Sequence, residues 1–131
     1  MRVPFNEPVD GSTITLPNGA VYRATVMQTA AQRAQGMQDR SSLAPDEVML
    51  FVHPYGIRRH VYHMRNVVVS LDMVRLDGFG RVTQIETAKA GSNQSFDDVG
   101  KVRAEYMVEA GAGWAAANGL QVGDRVIIRL P

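Results

Sequence analysis

A carboxylate on the apolar face of a strand must find a cation, a hydrogen-bond donor or the mouth of a pocket, because burying it alone is costly. Asp72 is such a residue: along 71–77 it alternates onto the face of Val74 and Leu76. Arg65-Asn66 ends the preceding β segment, and Arg40 follows the first helix. An arginine can grip a carboxylate through two parallel hydrogen bonds. Glu109 shares a strand face with Met107 and presents a second anion. These residue types permit a structural salt bridge at a strand end, a polar ligand cleft, or a catalytic carboxylate. The functional readings require Asp72 to point inward and meet Arg65 or Arg40 in a common recess.

Other motifs carry less. Gly111-Ala112-Gly113-Trp114-Ala115-Ala116 matches the start of a dinucleotide fingerprint. Its helix is short, no parallel strand follows, and no room remains for the acidic residue needed about 20 positions on. It reads better as a glycine-rich turn in which Trp114 anchors a helix to the core. His60 and His63 are three apart in a segment of strand composition, which puts them on opposite faces and argues against a shared metal. The 7 methionines raise copper(I) chemistry, but Met49, Met64, Met73 and Met107 sit in apolar strand patterns, where methionine is a common filler. Ser92 and Ser95 lie outside any nucleophile elbow. Neighbouring carboxylates such as Asp97-Asp98 read as solubility features. No catalytic residue, metal site or cofactor is assigned on these grounds.

The elements that would position these groups are short. Residues 1–12 carry Pro4, Pro8 and Gly11 and form an irregular arm. Strands at 13–16 and 21–27 flank the turn signal Pro17-Asn18-Gly19. Thr29 and Gln32 form a capping box for a helix over 30–35, stopped by Gly36. The apolar run 48–52 suits a strand buried on both faces. Residues 60–69 read as a β segment. The strands at 71–77 and 81–87 are joined by Asp77-Gly78-Phe79-Gly80. A long polar loop at 88–102 is placed to cover a site. A strand at 103–109, a short helix at 113–118 and a closing strand at 125–130 complete the chain. About eight closely spaced strands predict an α+β fold, mainly antiparallel β, as a small barrel or bent sandwich with two short helices.

Composition narrows the function classes. A chain of 131 residues, 45% hydrophobic and 21% charged, can bury one core and reads as a single domain. Its net charge of +1 and lack of a basic stripe argue against nucleic-acid binding; Arg58-Arg59-His60 reads as a solvated loop. The absence of cysteine removes disulfides, thiolate nucleophiles and cysteine-based metal sites. No apolar run is long enough to span a membrane, and the first eight residues lack the apolar stretch of a signal peptide.

Three blocks follow one another along the chain. The first is Gln32-Arg33-Ala34-Gln35-Gly36-Met37-Gln38-Asp39-Arg40, followed by Met49-Leu50-Phe51-Val52. The second is His63-Met64-Arg65-Asn66-Val67, then Leu71-Asp72 and Asp77-Gly78-Phe79-Gly80-Arg81-Val82. The third is Tyr106-Met107-Val108-Glu109, then Gly119-Leu120-Gln121-Val122-Gly123-Asp124. In this order they resemble the bacterial and archaeal family called domain of unknown function 192, and the resemblance runs from about residue 22 to the C-terminus. His63 stands where the family usually has tryptophan, Val67 where it has threonine and Val48 where it has glycine. The segment 88–102 lacks the cysteine and proline pattern of many relatives. The resemblance implies a compact β-rich fold and export of many relatives behind a leader, with a cytoplasmic location as the alternative. It brings no activity. It marks Arg40, Met64, Arg65, Asn66, Asp72 and Glu109.

The sequence therefore predicts a non-catalytic domain that binds a small polar ligand, or a protein partner's charged group, near Arg65, Asn66 and Asp72. Arg40, Met64 and Glu109 complete the candidate set. One alternative is a hydrolase with Asp72 or Glu109 as base and Arg65 as oxyanion donor. The other is an interaction module that pairs through a strand edge or apolar patch.

Overall fold

Pro17-Asn18-Gly19 reverses the chain between strands β1 (Thr13–Thr15) and β2 (Val21–Met27). Gly19 supplies the left-handed φ of 88°, and the Asn18 side chain accepts from the Ala20 N–H at 2.9 Å. The structure is a computed structural model describing residues 12–38, 40–53, 61–97 and 104–131. Most of the N-terminal arm, the Arg58-Arg59-His60 run, residues 98–102 of the long loop and Arg103 lie outside the described residues.

Helix α1 (Ala30–Gln35) begins as its capping box requires. The Gln32 N–H donates to Thr29 Oγ1 at 3.1 Å, and the Thr29 N–H donates to Gln32 Oε1 at 3.0 Å. The helix carries the chain across one face of the sheet to β3 (Glu47–Val52), which lies parallel to β2, with Val26 opposite Leu50. All other paired strands among the described residues are antiparallel.

Of the segment read as β over 60–69, the described residues are strand only at β4 (Val61–Tyr62). The chain then turns, with the Val67 N–H donating to the Met64 carbonyl at 3.1 Å and Asn66 at a left-handed φ of 59°. Asparagine tolerates that region better than the valines around it, which is why the valine run does not extend the strand. Strands β5 (Leu71–Leu76) and β6 (Val82–Ala88) form the expected hairpin, where Asp77 Oδ1 accepts from the Phe79 and Arg81 N–H groups. The loop after β6 contains β7 (Phe96–Asp97), which pairs with β4 in a small separate sheet. Strand β8 (Tyr106–Gly111) starts later than the sequence suggested, followed by helix α2 (Trp114–Ala117) and strand β9 (Ile127–Arg129).

The main sheet has seven strands in the order β6-β5-β8-β3-β2-β1-β9. It curls into a half-barrel, as the small-barrel reading anticipated. Its two edges are linked at one end: the Val126 N–H donates to the Gly80 carbonyl and the Val82 N–H to the Asp124 carbonyl, both at 2.8 Å. Only glycine fits at position 80, because a Cβ there would stand 2.3 Å from the Val126 carbonyl oxygen.

Alternation along the strands builds two cores on opposite faces of this one sheet. The inner core is filled by branched and small residues, including Ile14, Val26, Leu50, Val74, Leu76 and Val108, with Ala115 and Leu120 closing one end. Trp114 packs edge-on against Tyr22, with ring centroids 5.4 Å apart, and anchors α2 as expected. The outer core holds Met27, Met49, Phe51, Met73 and Met107 from the sheet, with Met37, Tyr62, Met64 and Phe96 packed over them. No helix among the described residues is long and apolar enough to cross a membrane.

Candidate functional site

Glu109 occupies the middle of the sheet on its outer face. Register places it opposite Met49 of β3 on one side and Met73 of β5 on the other. It is 4% exposed, and among the described residues its carboxyl has no hydrogen bond or ion pair. Burial pushes its pKa up from 4.5 to about 8, since a charged carboxylate loses its water there and gains nothing in return.

Above Glu109 is a small recess of about 70 Å³, partly open to solvent. Its roof is the end of α1 and the turn at 36–38; its other wall is formed by Tyr62, His63, Met64 and Val67. Two features hold the roof. Arg33 donates to the Gln28 carbonyl at 2.5 Å and the Val52 carbonyl at 3.2 Å, clipping α1 to the end of β3. Gly36 lets the helix end sit on the Phe51 ring, because a Cβ there would stand 3.3 Å from Phe51 Cζ. The opposite wall is tied to the roof by the Asn66 side-chain amide, which donates to Gln38 Oε1 at 3.4 Å. The Tyr62 hydroxyl is hydrogen-bonded to the His53 ring, and the Arg75 guanidinium stacks over the Tyr62 ring at 5.3 Å.

The six candidate residues are distributed unequally around this recess. Glu109 and Met64 line it together. Asn66 shapes its wall through the turn and the Gln38 contact. Arg65 is exposed, its side chain makes no hydrogen bond or ion pair among the described residues, and it does not line the recess. Arg40 is engaged elsewhere: its Nη1 and Nη2 reach Glu47 at 2.7 and 2.8 Å. The Arg40 guanidinium holds the Glu47 carboxyl below its usual 4.5, helped by the Ala44 N–H and the Thr25 hydroxyl.

Asp72 points inward as expected but onto the inner face. Its carboxylate accepts from Thr87 Oγ1 at 2.8 Å and from the Ala115 N–H at 3.0 Å, so it caps α2 from a distant strand. The expected meeting of Asp72 with Arg65 or Arg40 therefore does not occur. The period of two along β5 sends position 72 to the inner face, where backbone and hydroxyl donors replace the guanidinium. Asp72, Glu109 and Arg65 are not assembled into the arrangement that the hydrolase reading needs.

Sequence reasoning missed Met37, Phe51, Tyr62 and His63 as members of the recess. One signal was present. Six of the 7 methionines, all but Met1, fall in the outer core, and four of them sit at strand positions of the same alternation. The inner core contains none.

A family model for uncharacterized proteins, DUF192 (Uncharacterized ACR), matches residues 13–128. A crystal structure of a protein of unknown function from Novosphingobium aromaticivorans is similar at 27% identity and a TM-score of 0.78, covering 96% of this chain and 93% of that one. A Sinorhizobium meliloti protein proposed as a transcription regulator is similar at 26% identity and a TM-score of 0.79, covering 98% of both chains. No curated protein sequence matches.

Proposed function

Because the chain belongs to the DUF192 family, which brings a fold and no activity, we propose from its geometry that it is a binding domain holding a small cation at Glu109. One observation carries this reading: a buried carboxyl with no partner among the described residues faces a recess that reaches solvent. Such a group is destabilising in the empty fold and is offset when a positive charge seats on it.

Among the described residues no cation pairs with the Glu109 carboxyl: Arg40 is committed to Glu47, Arg75 lies 3.4 Å from Glu86, and Arg33, which lines the recess, donates to the Gln28 and Val52 carbonyls. The walls suit a cation with some apolar character. Phe51 and Tyr62 offer aromatic rings and Met37 and Met64 offer polarisable sulfur. The site lies at mid-strand rather than in a charged cleft at strand ends, and a single acid sets its polarity.

Calorimetric titration with methylammonium and related small ammonium ions tests the proposal. Binding to the native chain, lost in Glu109→Gln and kept in Asp72→Asn, supports it. Equal binding by Glu109→Gln, or no binding by the native chain of any small cation, overturns it.

A further inference from the structure

Resting on that reading, we infer that the cation is a soft monovalent metal ion, copper(I), coordinated by the thioethers of Met37 and Met64 beside the Glu109 carboxylate. The asymmetry between the two cores is the starting point. Both fill space against the same sheet, yet the inner one uses valine, leucine, isoleucine and alanine without a single methionine. The outer one has six methionines, at 27, 37, 49, 64, 73 and 107. A filler role applies equally to both faces and gives no reason for this segregation.

Two of the six line the recess, and they come from opposite sides of it. Met37 stands in the roof just after α1, and Met64 in the wall at the start of the 64–67 turn. Each is at most 1% exposed, so its sulfur is shielded from water and from competing ligands. Three rotatable bonds in each side chain give its sulfur freedom to turn toward a shared ion. His63 also lines the recess, but its Nδ1 accepts from the Arg65 N–H at 3.3 Å, so the neutral ring carries its proton on Nε2 and is not counted among the donors.

The donor set selects the ion. Thioethers are soft and neutral and suit copper(I). Hard cations want several oxygens, and zinc wants imidazole, thiolate or carboxylate groups together. Among the described residues no three His, Cys, Asp or Glu side chains converge, and one carboxyl lines the recess. A single carboxylate balances the single charge of copper(I).

The test is anaerobic titration of the whole chain with copper(I) against a chromogenic chelator, and with silver(I) as a redox-inert probe, read by native mass spectrometry. One ion per chain is expected. Affinity falls at least tenfold in Met37→Leu and in Met64→Leu, and binding is lost in the double variant. Met107→Leu, which changes a methionine of the same core away from the recess, leaves affinity unchanged. Methionine-to-leucine exchange keeps volume and apolarity, so these variants fold. Methionine methyl NMR gives a second readout, with the Met37 and Met64 signals shifting on silver addition. Unaltered affinity in the double variant overturns the inference. Glu109-dependent binding of ammonium ions without binding of either metal overturns it too, and leaves the cation site standing. Binding of neither class removes both.

Discussion

The side chains of Asp72 and Glu109 leave the same pair of hydrogen-bonded strands on opposite faces, because Asp72 is paired with Ala110 and Met73 with Glu109. One register step separates a carboxylate satisfied by two donors from one with none among the described residues. Their consequences for stability and binding therefore differ in kind.

Glu109 makes the protein less stable as pH rises. Below pH 4.5 the carboxyl is protonated folded or unfolded and contributes nothing. Between 4.5 and about 8 the unfolded chain releases the proton while the folded chain keeps it, so stability falls across that window. The loss is complete above about pH 8. Glu109→Gln is expected to gain about 1–3 kcal/mol near neutral pH and nothing near pH 4. Urea midpoints measured across this range check it; a variant destabilised at neutral pH contradicts the account.

Glu47 has the opposite sign. Its folded pKa lies below 4.5, so its contribution is present above that value and is lost as pH falls through the lower folded one. Arg40→Ala leaves this buried carboxylate with only Thr25 and Ala44 as donors. A loss of about 3 kcal/mol at pH 7 is expected, partly restored by adding Glu47→Gln. Thermal melts of the single and double variants test this.

Asp72→Ala removes two hydrogen bonds and the distant cap of α2. The expected cost is about 2 kcal/mol, and Thr87→Val should cost about half as much. Cation binding at Glu109 should be unchanged in both, since the sheet separates the sites. Denaturation and titration of the same samples distinguish this from a role for Asp72 in binding.

Arg75 is fully buried, with its Nε 3.4 Å from Glu86 Oε1 and no hydrogen bond to any of its nitrogens. An ion pair of that geometry barely repays the desolvation of its cation. Arg75→Met combined with Glu86→Gln is expected to be as stable as the native chain or more so, by up to about 2 kcal/mol. A marked fall in the denaturation midpoint would refute this.

Local features were legible in the sequence because their partners are near in the chain. The turn at Asn18-Gly19, the capping box of Thr29 and Gln32, and the Asp77 turn all act within four residues. Alternation also put Asp72 with Val74 and Leu76, and Glu109 with Met107, on faces the structure reproduces. What it could not supply is which face meets which neighbour. Asp72 finds its donor 43 residues away at Ala115, on a helix whose position depends on the curl of the whole sheet. Arg40 is claimed by Glu47 because the β2–α1–β3 connection folds back on itself. The strand expected over 60–69 stopped at Tyr62 because the turn at Asn66 overrode the preference of the valines.

Parallel neighbours such as β2 and β3 cannot be joined by a tight turn; the chain must travel back over the sheet first. Here that return path is α1 and the residues after it, so the covering above Glu109 is spliced into the middle of the scaffold rather than hung from its margin. Excising it would sever the fold at its centre. Its length is fixed by the span it must cross, and tailoring of this cavity is therefore confined to exchanging side chains.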